Sequence, residues 1–511
     1  MQLSFILVFE YRRMIQAPIG QLAKIWKNNL RIGKNRIRCQ GMAGLSYQQI
    51  QESLAAQPLF ENKTWRLSPE PWRLTRKQIS TLEQIGQACL DFYLALDNLY
   101  RRCAEDKNLL RNKELTAPWV CSYLDRGKPR RLIEHARLKR FKGQVPLVLR
   151  PDLLQTEDGF ALTEMDSVPG GLGLTAFLNR LYGMNERAFA PDIVGGVGQV
   201  EEDWHRCLAA TTPGKENPLI AVIVSDEAAV YRPEFDYLTA RLRERGFRIH
   251  ARHPDDLMPM GDSLCIPVEG NPEEVDVIYR FWELFDVGNV STAQDILRVA
   301  EDGGVVVSPP MKAYQEEKLN LALLHHPVLD DYWRENLPRR SYKTLKKVVP
   351  HSWIIDPVEL PPNAVLDAPW VDGKPIREWE QLAEASQKER NLIIKASGFH
   401  ESAWGARSVT LGSDSSKTDW QEAIEEAVDL ADETLHILQD YRKPMRLKHP
   451  VFSEDGEAVY EMEGRLRLTP YFLVEGDQAK LSACLATFCP ADKKIIHGMK
   501  DAAMLPCRVV D

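Results

Sequence analysis

The sequence lacks the long apolar runs and paired cysteines that would indicate a membrane protein or a zinc protein. Its run from Leu3 to Phe9 is far shorter than the roughly 20 residues that a membrane-spanning helix needs. The nine cysteines include no Cys-x-x-Cys pair and no nearby histidine at zinc-ligand spacing. We therefore expect reduced, buried thiols in a cytoplasmic protein that makes no membrane contact.

A strong excess of one charge is also missing. The chain carries 65 lysines and arginines against 73 aspartates and glutamates, which gives a net charge of -8. No overall positive field attracts a polyanion, so nucleic acid is not an expected partner. With 511 residues, of which 44% are hydrophobic and 27% charged, the composition is that of a globular protein with two or three cores.

Common motifs for covalent catalysis and for nucleotide loops are absent as well. The sequence contains no Gly-x-Ser-x-Gly, which argues against a serine hydrolase of that type, and no Gly-x-x-x-x-Gly-Lys-Ser/Thr, which argues against a P-loop. The apolar run Leu219–Val224 is not followed by Gly-x-Gly-x-x-Gly, so dinucleotide binding there is not expected.

Composition and periodicity divide the chain into five segments. We interpret residues 1–41 as a flexible or mis-started extension, because residues 1–40 hold eight basic side chains and one acid, their charges follow the apolar run, and Met42 offers an alternative start. Residues 42–144 have apolar residues at helical spacing and are predicted to be mainly helical. The remaining segments are 145–210, 211–304 and 305–511.

Segment 211–304 shows the alternation of strands and helices that is typical of a parallel sheet. The continuous apolar run Leu219–Val224 suits a strand that is buried on both faces. A helix at Phe235–Arg245 and strands at Arg248–Ala251 and Val275–Tyr279 follow. This βαβ-type pattern predicts a Rossmann-like subdomain.

Segment 305–511 begins with a strand near Val305 and a helix predicted at Ala313–Leu324. The apolar strand Asn391–Lys395 ends in a lysine, and the loop beyond it contains two glycines. Another strand is predicted at Leu435–Tyr441. A further strand carries Arg465 and Arg467 at alternate positions, which give it one positive face.

The strongest chemical signal is a predicted hairpin in segment 145–210, with strands at Val145–Leu149 and Phe160–Glu164. Glu164 and Asp166 point to the same side because alternate strand residues share a face. Asp152 is expected across the hairpin from them. Three converging carboxylates repel each other unless a cation neutralises them, and oxygen ligands suit magnesium. The alternative is a solvated acidic hairpin with an ordinary surface ion pair.

Arg150-x-Asp152, followed by Glu164 and Asp166, resembles the metal-binding pattern of the circularly permuted ATP-grasp family, as in the synthetase domain of glutathionylspermidine synthase. The resemblance implies that Asp152, Glu164 and Asp166 ligate Mg²⁺ and that Arg150 steadies the transferring phosphoryl group. The family pattern has asparagine where this chain has Asp166, which adds a negative charge to the implied site.

Shorter islands resemble the nucleotide-binding parts of the same family. The segment around Lys318 and the strand end at Lys395 imply two lysines that contact nucleotide phosphates. The loop that contains Gly405 and Arg407 stands where the family has a glycine-rich loop, which implies a backbone phosphate ligand at Gly405 and a catalytic phosphate or acyl-phosphate ligand at Arg407. Gln439 resembles the hinge position that reads adenine.

A further island, Val275–Arg280, resembles the strand and arginine that end the substrate-side subdomain, and it implies that Arg280 faces the cleft. The implied fold class is an α/β, circularly permuted ATP-grasp fold with a Rossmann-like pre-ATP-grasp subdomain and an N-terminal helical region.

The implied activity is that of an ATP-dependent carboxylate-amine or carboxylate-thiol ligase that uses ATP and Mg²⁺ and forms an acyl phosphate. Its partners would be a small-molecule or peptide carboxylate and an amine co-substrate. Two alternatives remain open. The fold could bind nucleotide as a regulatory protein without turnover, or a two-domain glycosyltransferase could explain the βαβ pattern, although not the carboxylate hairpin. The sequence identifies neither the substrates nor the oligomeric state.

Overall fold

The computed structural model describes residues 44–61, 63–185, 189–358, 367–403, 407–493, 495–496 and 500–511, and it shows a mixed α/β protein. The strands are β1 Thr64–Arg66, β2 Trp72–Thr75, β3 Val148–Thr156, β4 Gly159–Asp166, β5 Ile220–Val224, β6 Ile249–Arg252, β7 Met258–Met260, β8 Ser263–Val268, β9 Asn271–Glu274, β10 Val277–Phe281, β11 Val306–Ser308, β12 Ser352–Ile355, β13 Trp370–Val371, β14 Lys374–Pro375, β15 Leu392–Ala396, β16 Thr410–Leu411, β17 His436–Asp440, β18 Leu447–Phe452, β19 Val459–Glu475, β20 Gln478–Pro490 and β21 Lys500–Val510.

The helices alternate with these strands along most of the chain. They are α1 Tyr47–Ala55, α2 Arg76–Ala104, α3 Pro118–Asp125, α4 Arg130–Arg137, α5 Leu172–Asn185, α6 Gln199–Ala209, α7 Arg232–Arg243, α8 Ala293–Asp302, α9 Leu319–His325, α10 Asp330–Asn336, α11 Arg339–Val348 and α12 Lys417–Asp429.

A central sheet of eight strands organises the molecule. Its order is β1-β21-β20-β19-β3-β4, with β18 paired to β19 and β2 paired to β21. The predicted hairpin is present as β3 and β4, but both strands extend further towards the turn than predicted. Strand β3 runs to Thr156 and β4 starts at Gly159, because only two residues form the turn between them. Strands β1 and β2 come from the region predicted to be mainly helical, and both run parallel to β21.

The long helix α2 packs directly on this sheet and forms the main core with it. A Cβ atom at Gly86 would lie 2.3 Å from the ring of Phe472 in β19, so only glycine permits this close approach. Leu82 and Ile85 on the same helix are fully buried. The helix therefore belongs to the sheet's core and is not a detached layer.

The predicted βαβ region forms a four-stranded parallel sheet with the order β11-β10-β5-β6. All five residues of β5 and of β10 are buried, as expected for strands covered on both faces. Helix α7 connects β5 to β6. The predicted parallel βαβ pattern is therefore present in this region.

A third, antiparallel sheet has the order β12-β17-β15-β16 and is called the lid sheet here. One of its faces packs on α12, where Ile394, Trp420 and Leu438 are buried together. Its strand β15 is the predicted Asn391–Lys395 strand, shifted by one residue. The lid sheet carries two of the predicted nucleotide ligands to the hairpin.

The predicted helix Ala313–Leu324 is interrupted. A 3-10 turn covers Ala313–Glu316, and α9 begins only at Leu319. The reason lies in Ser397, whose carbonyl accepts from Lys318 N at 2.8 Å and whose hydroxyl accepts from Leu319 N at 2.8 Å. These contacts replace helical hydrogen bonds at the break.

Two further expectations concern the whole chain. Seven of the eight cysteines within the described ranges are buried, as predicted. No helix within those ranges is both long and apolar enough to cross a membrane.

Candidate active site

The hairpin places its charged residues on one face of the central sheet. In the β3–β4 register, Arg150 lies opposite Asp166 and Asp152 lies opposite Glu164. On the other side of β3, Arg467 of β19 lies opposite Leu154, which shares the face of Arg150 and Asp152. The alternation of strand residues therefore brings five charged side chains to one surface.

Arg150 connects two of the three carboxylates. Its Nη2 lies 2.7 Å from Asp166 Oδ2, and its Nε lies 3.2 Å from Asp152 Oδ1. Its third nitrogen, Nη1, donates to the carbonyl of Gly170 at 3.2 Å. The guanidinium thus fastens the hairpin to the glycine-rich turn before α5.

That turn depends on glycine for steric reasons. A Cβ atom at Gly170 would lie 2.2 Å from the ring of Tyr231, and Gly171 has a φ of +88°. Tyr471 of β19 donates to the Gly170 carbonyl at 2.7 Å. The turn is therefore pressed between the central sheet and the parallel-sheet region beside Arg150.

Arg467 is a second arginine on the same carboxylate, and it was not among the predicted site residues. Its Nη1 lies 3.2 Å from Asp152 Oδ2. The alternation of Arg465 and Arg467 had indicated one positive strand face, but the contact to Asp152 depends on a strand pairing across more than 300 residues of chain. Arg465 instead donates to the carbonyl of Lys493 at 2.9 Å.

Lys318 extends the charged cluster towards the lid sheet. Its Nζ lies 2.9 Å from Glu164 Oε1 and donates to the carbonyl of Ala403 at 2.8 Å. Burial alone disfavours the ionised form of Glu164, but the ammonium of Lys318, with weaker help from Lys395 and Arg150, outweighs it and lowers the pKa of Glu164 to about 2. Glu164 is therefore a carboxylate near neutral pH.

Lys395 lies next to this pair on β15. Its ammonium donates to the carbonyl of Thr163 at 3.0 Å and to Gln439 Oε1 at 2.9 Å. Thr163 is the extra residue of a bulge in β4, which frees its carbonyl from the regular ladder. Burial lowers the pKa of Lys395 to about 8 despite the attraction of Glu164.

The charges of the site are imperfectly matched. Burial raises the pKa of Asp166 above its ordinary value, and repulsion from Glu164 and Asp152 adds to the effect although Arg150 opposes it. Several buried polar atoms have no hydrogen-bond partner: Arg150 Nε, Asp152 Oδ1, Arg467 Nε and Thr469 Oγ1. Two of these atoms, Arg150 Nε and Asp152 Oδ1, form an ion pair with each other. Native proteins satisfy most buried polar atoms, so the set makes this face a candidate site for a ligand or ion.

No group of three or more metal-ligating side chains within the described ranges has the arrangement of a metal site. Each predicted metal ligand is paired with a cation of the protein itself, as Arg150 and Lys318 show. Asp152 Oδ1 accepts no hydrogen bond, although it lies 3.2 Å from Arg150 Nε, so it keeps acceptor capacity for an added cation. The roles of Asp152, Glu164 and Asp166 as metal ligands stay predictions.

The structure brings Gln439 into the cluster. The Gln439 amide accepts from Lys395 and donates to Ser352 Oγ at 3.0 Å. Arg407 lies 3.7 Å from Glu227, at the end of β5, and about half of its side chain is exposed. Gly405 lies outside the described residues.

The expectation that Arg280 faces the cleft is wrong. Its side chain is completely buried and donates to the carbonyls of Trp282 and Pro309, and it pairs with Glu316. The carboxyl end of β10 thus carries a buried ion pair in place of a cleft-facing arginine.

Glu283 follows β10 and was not predicted as a site residue. Burial raises its pKa well above the ordinary value, and repulsion from Glu316 and Asp166 adds to this. The signal that could have found it is its position directly after a buried parallel strand, where open α/β sheets place their functional groups.

Comparisons with known proteins agree with a shared fold. No protein-family model matches the sequence, and no curated protein matches it. Among solved structures, a glutathione synthetase-like effector from Globodera pallida matches with a TM-score of 0.51 and 11% identity, over 91% of this chain and 96% of that chain. A gamma-glutamylcysteine synthetase from Methylobacillus flagellatus matches with a TM-score of 0.40 and 13% identity, over 77% and 88%. The first similarity shows a common fold across nearly the whole chain, and the second is too low to establish one.

Proposed function

We propose that this protein is an ATP-dependent ligase that joins a carboxylate to an amine, with Mg²⁺-ATP bound between the hairpin and the lid sheet. The observation that carries the proposal is the placement of Lys318 and Lys395 beside Glu164 on the face where buried polar atoms lack partners. The fold shared with a glutathione synthetase-like protein supports the same class. The circularly permuted ATP-grasp relationship remains part of this proposal.

In this proposal the protein's own residues position and neutralise charge. Lys395 and Lys318 approach the nucleotide phosphates from the lid side, and Gln439 holds the Lys395 ammonium in place. Arg150 and Arg467 lie across the face from the lysines, where they can bind the oxygens of a transferring phosphoryl group or of the acid substrate.

The reaction balances without a covalent enzyme intermediate. A carboxylate oxygen of the substrate attacks the γ-phosphorus, the bond to the β-γ bridging oxygen breaks, and ADP leaves. The amine then attacks the carbonyl carbon of the acyl phosphate, inorganic phosphate departs, and one proton is released. The protein needs no nucleophilic side chain for either step, which agrees with the absence of a nucleophile motif.

Magnesium fits the chemistry of the donor set, because Asp152, Glu164 and Asp166 supply only oxygens and Asp152 Oδ1 has no hydrogen-bond partner. Bound with the nucleotide, the ion supplies positive charge that neutralises the phosphates. Lys318 would then exchange part of its contact with Glu164 for the phosphates.

The test is the thermal midpoint of unfolding with and without Mg²⁺-ATP, for the wild type, Glu164→Gln and Glu157→Gln. A ligand that binds only the folded state raises the midpoint. We expect a rise in the wild type and in Glu157→Gln, whose side chain lies exposed at the tip of the same hairpin, but not in Glu164→Gln. No rise in the wild type, with no heat on titration, contradicts the proposed nucleotide site.

A second candidate is a nucleotide-binding protein without turnover. The observation that favours it is Arg407, whose Nη2 lies 3.7 Å from Glu227 Oε1 and whose side chain is about half exposed. ADP release that depends on an added acid and amine separates the two functions, since only the ligase shows it.

A further inference from the structure

The loop between α3 and α4, residues 126–129, reaches out of the N-terminal region and contacts the lid sheet and its neighbours. Arg126 donates to the carbonyl of Ala431 at 2.7 Å and lies 3.8 Å from Asp356. Gly127 has a φ of +69°, and a Cβ atom there would lie 2.2 Å from the carbonyl oxygen of Glu433. The loop thus packs tightly against the backbone beside the lid sheet, and position 127 requires glycine.

The next residue of this loop, Lys128, makes a buried ion pair. Its Nζ lies 2.5 Å from Glu317 Oε1, and the two side chains are 3% and 5% exposed. The ammonium also lies 5.5 Å from the centre of the Phe399 ring. A pair so well buried is unlike the exposed ion pairs of the surface, which are held only loosely.

Glu317 connects Lys128 to the two segments that carry Lys318 and Lys395. Its second oxygen accepts from the hydroxyl of Ser397, which lies just beyond the end of β15 and two residues after Lys395. Ser397 in turn accepts from the amides of Lys318 and Leu319. The carboxylate of Glu317 therefore contacts Ser397, two residues after Lys395, and Glu317 itself directly precedes Lys318.

The close packing leaves little freedom for another arrangement. A Cβ atom at Gly398 would lie 2.8 Å from the carbonyl oxygen of Glu316 and 3.0 Å from the carboxyl carbon of Glu317. The segment 316–319 and the exit of β15 therefore touch along their backbones. Their relative position is set by the contacts of Glu317 together with the direct hydrogen bonds from the amides of Lys318 and Leu319 to Ser397.

We propose that Lys128 is a positioning residue that, through Glu317 and Ser397, holds Lys318 and Lys395 at the spacing the nucleotide phosphates require. This inference rests on the proposed function for the identity of the ligand. It goes beyond the proposed function by assigning a role to the N-terminal region, whose loop neutralises a carboxylate that links the two lysine-bearing segments.

The test combines amide hydrogen exchange with Mg²⁺-ATP titration on the wild type, Lys128→Met, the double variant Lys128→Met/Glu317→Gln, and Lys142→Met as an exposed control from the same region. The double variant leaves no unpaired buried charge, so it stays folded if the single variant does not.

In Lys128→Met we expect faster exchange at the amides of Lys318, Leu319 and Ser397, while the hairpin β3–β4 exchanges as in the wild type. A merely structural role would speed exchange in both places. We also expect Mg²⁺-ATP affinity to fall by about tenfold or more, as for other residues that orient ligands indirectly. Lys142→Met should match the wild type in both measurements.

Unchanged exchange at these three amides in both Lys128 variants overturns the inference, and so does faster exchange with unchanged Mg²⁺-ATP affinity. If the wild type itself binds no Mg²⁺-ATP, the proposed function fails. The exchange measurement then still decides whether Lys128 positions Lys318, so the two failures can be told apart.

Discussion

Two buried clusters of charge in this protein differ in one instructive respect. In the first, Asp97 of α2 receives four donors: Lys312 Nζ at 2.7 Å, Tyr314 Oη at 2.5 Å, Gly143 N at 2.9 Å and Arg101 Nε at 3.2 Å. The second is the candidate site around Asp152, where Asp152 Oδ1 and both arginine Nε atoms beside it have no hydrogen-bond partner.

The difference separates a structural cluster from a binding cluster. The Asp97 cluster joins α2 to the segment after β11 with every group satisfied, and the pKa of Asp97 is lowered by Lys312 and Tyr314 although burial opposes the change. The candidate site keeps polar atoms that a ligand must satisfy. Both clusters hold several charges, and the candidate site is the more exposed of the two. Satisfaction of hydrogen bonds separates them as well.

The largest expected effect tests this distinction through stability. Lys312→Met leaves the carboxylate of Asp97 buried without its ammonium, and we expect the free energy of unfolding to fall by about 3–5 kcal/mol. Lys395→Met removes a buried ammonium that has no carboxylate partner in the described part of the chain but donates two hydrogen bonds, and we expect a smaller loss of about 1–2 kcal/mol. Urea denaturation measures both, and equal losses would remove the distinction.

The second prediction concerns ligand affinity, for which the candidate site should be more sensitive to substitution than the structural cluster. Lys395→Met should weaken Mg²⁺-ATP binding by about 10–100-fold, because the ammonium approaches the phosphates directly. Tyr314→Phe, in the structural cluster, should bind Mg²⁺-ATP as the wild type does. Isothermal titration gives both affinities, and a matching loss in Tyr314→Phe would place the structural cluster in the binding site.

The third comparison uses one hydroxyl from each cluster. Tyr314→Phe removes a hydrogen bond to a carboxylate, and we expect the free energy of unfolding to fall by about 2 kcal/mol. Thr469→Val removes a buried hydroxyl that has no partner, so we expect a change of less than about 0.5 kcal/mol or a small gain. A loss of similar size in Thr469→Val would show that its hydroxyl is satisfied in the folded protein.

The smallest effect concerns pH and Glu164. Its pKa is about 2 in the folded protein and has an ordinary value of 4.5. The unfolded chain therefore binds the proton first, and stability from Glu164 is present above about pH 4.5 and lost as the pH falls towards 2. Because 39% of the side chain is exposed, solvent screening limits the contribution to about 1 kcal/mol.

The measurement is the difference in free energy of unfolding between the wild type and Glu164→Gln, near neutral pH and near pH 2. The difference should shrink at the lower pH. A difference that stays constant would mean that Lys318 does not stabilise the Glu164 carboxylate.

Sequence patterns predicted the parts of the site that are local. The β3–β4 hairpin follows from alternation and a polar turn, and that alternation places Glu164 and Asp166 on the face of Asp152. The parallel sheet follows from its apolar run at Leu219–Val224. The resemblance to a known family pointed to Lys318 and Lys395, which the structure brings to the same face.

The remaining parts depend on contacts between distant segments and could not be predicted. Arg467 reaches Asp152 only because β19 pairs with β3, and Arg280 turned out to be buried because Glu316 lies within reach of it. The helix break at Lys318 depends on Ser397, almost 80 residues later. Periodicity describes one element at a time and carries no information about such partners.

The strand β21 has a consequence for how the protein is made. Both N-terminal strands, β1 and β2, pair with this strand, which lies between β1 and β20 in the central sheet. During synthesis, residues 64–75 must therefore wait until residues 500–510 have emerged before they find their partner. Until that moment the sheet beneath the candidate site has an open edge, and the nascent chain exposes it to aggregation.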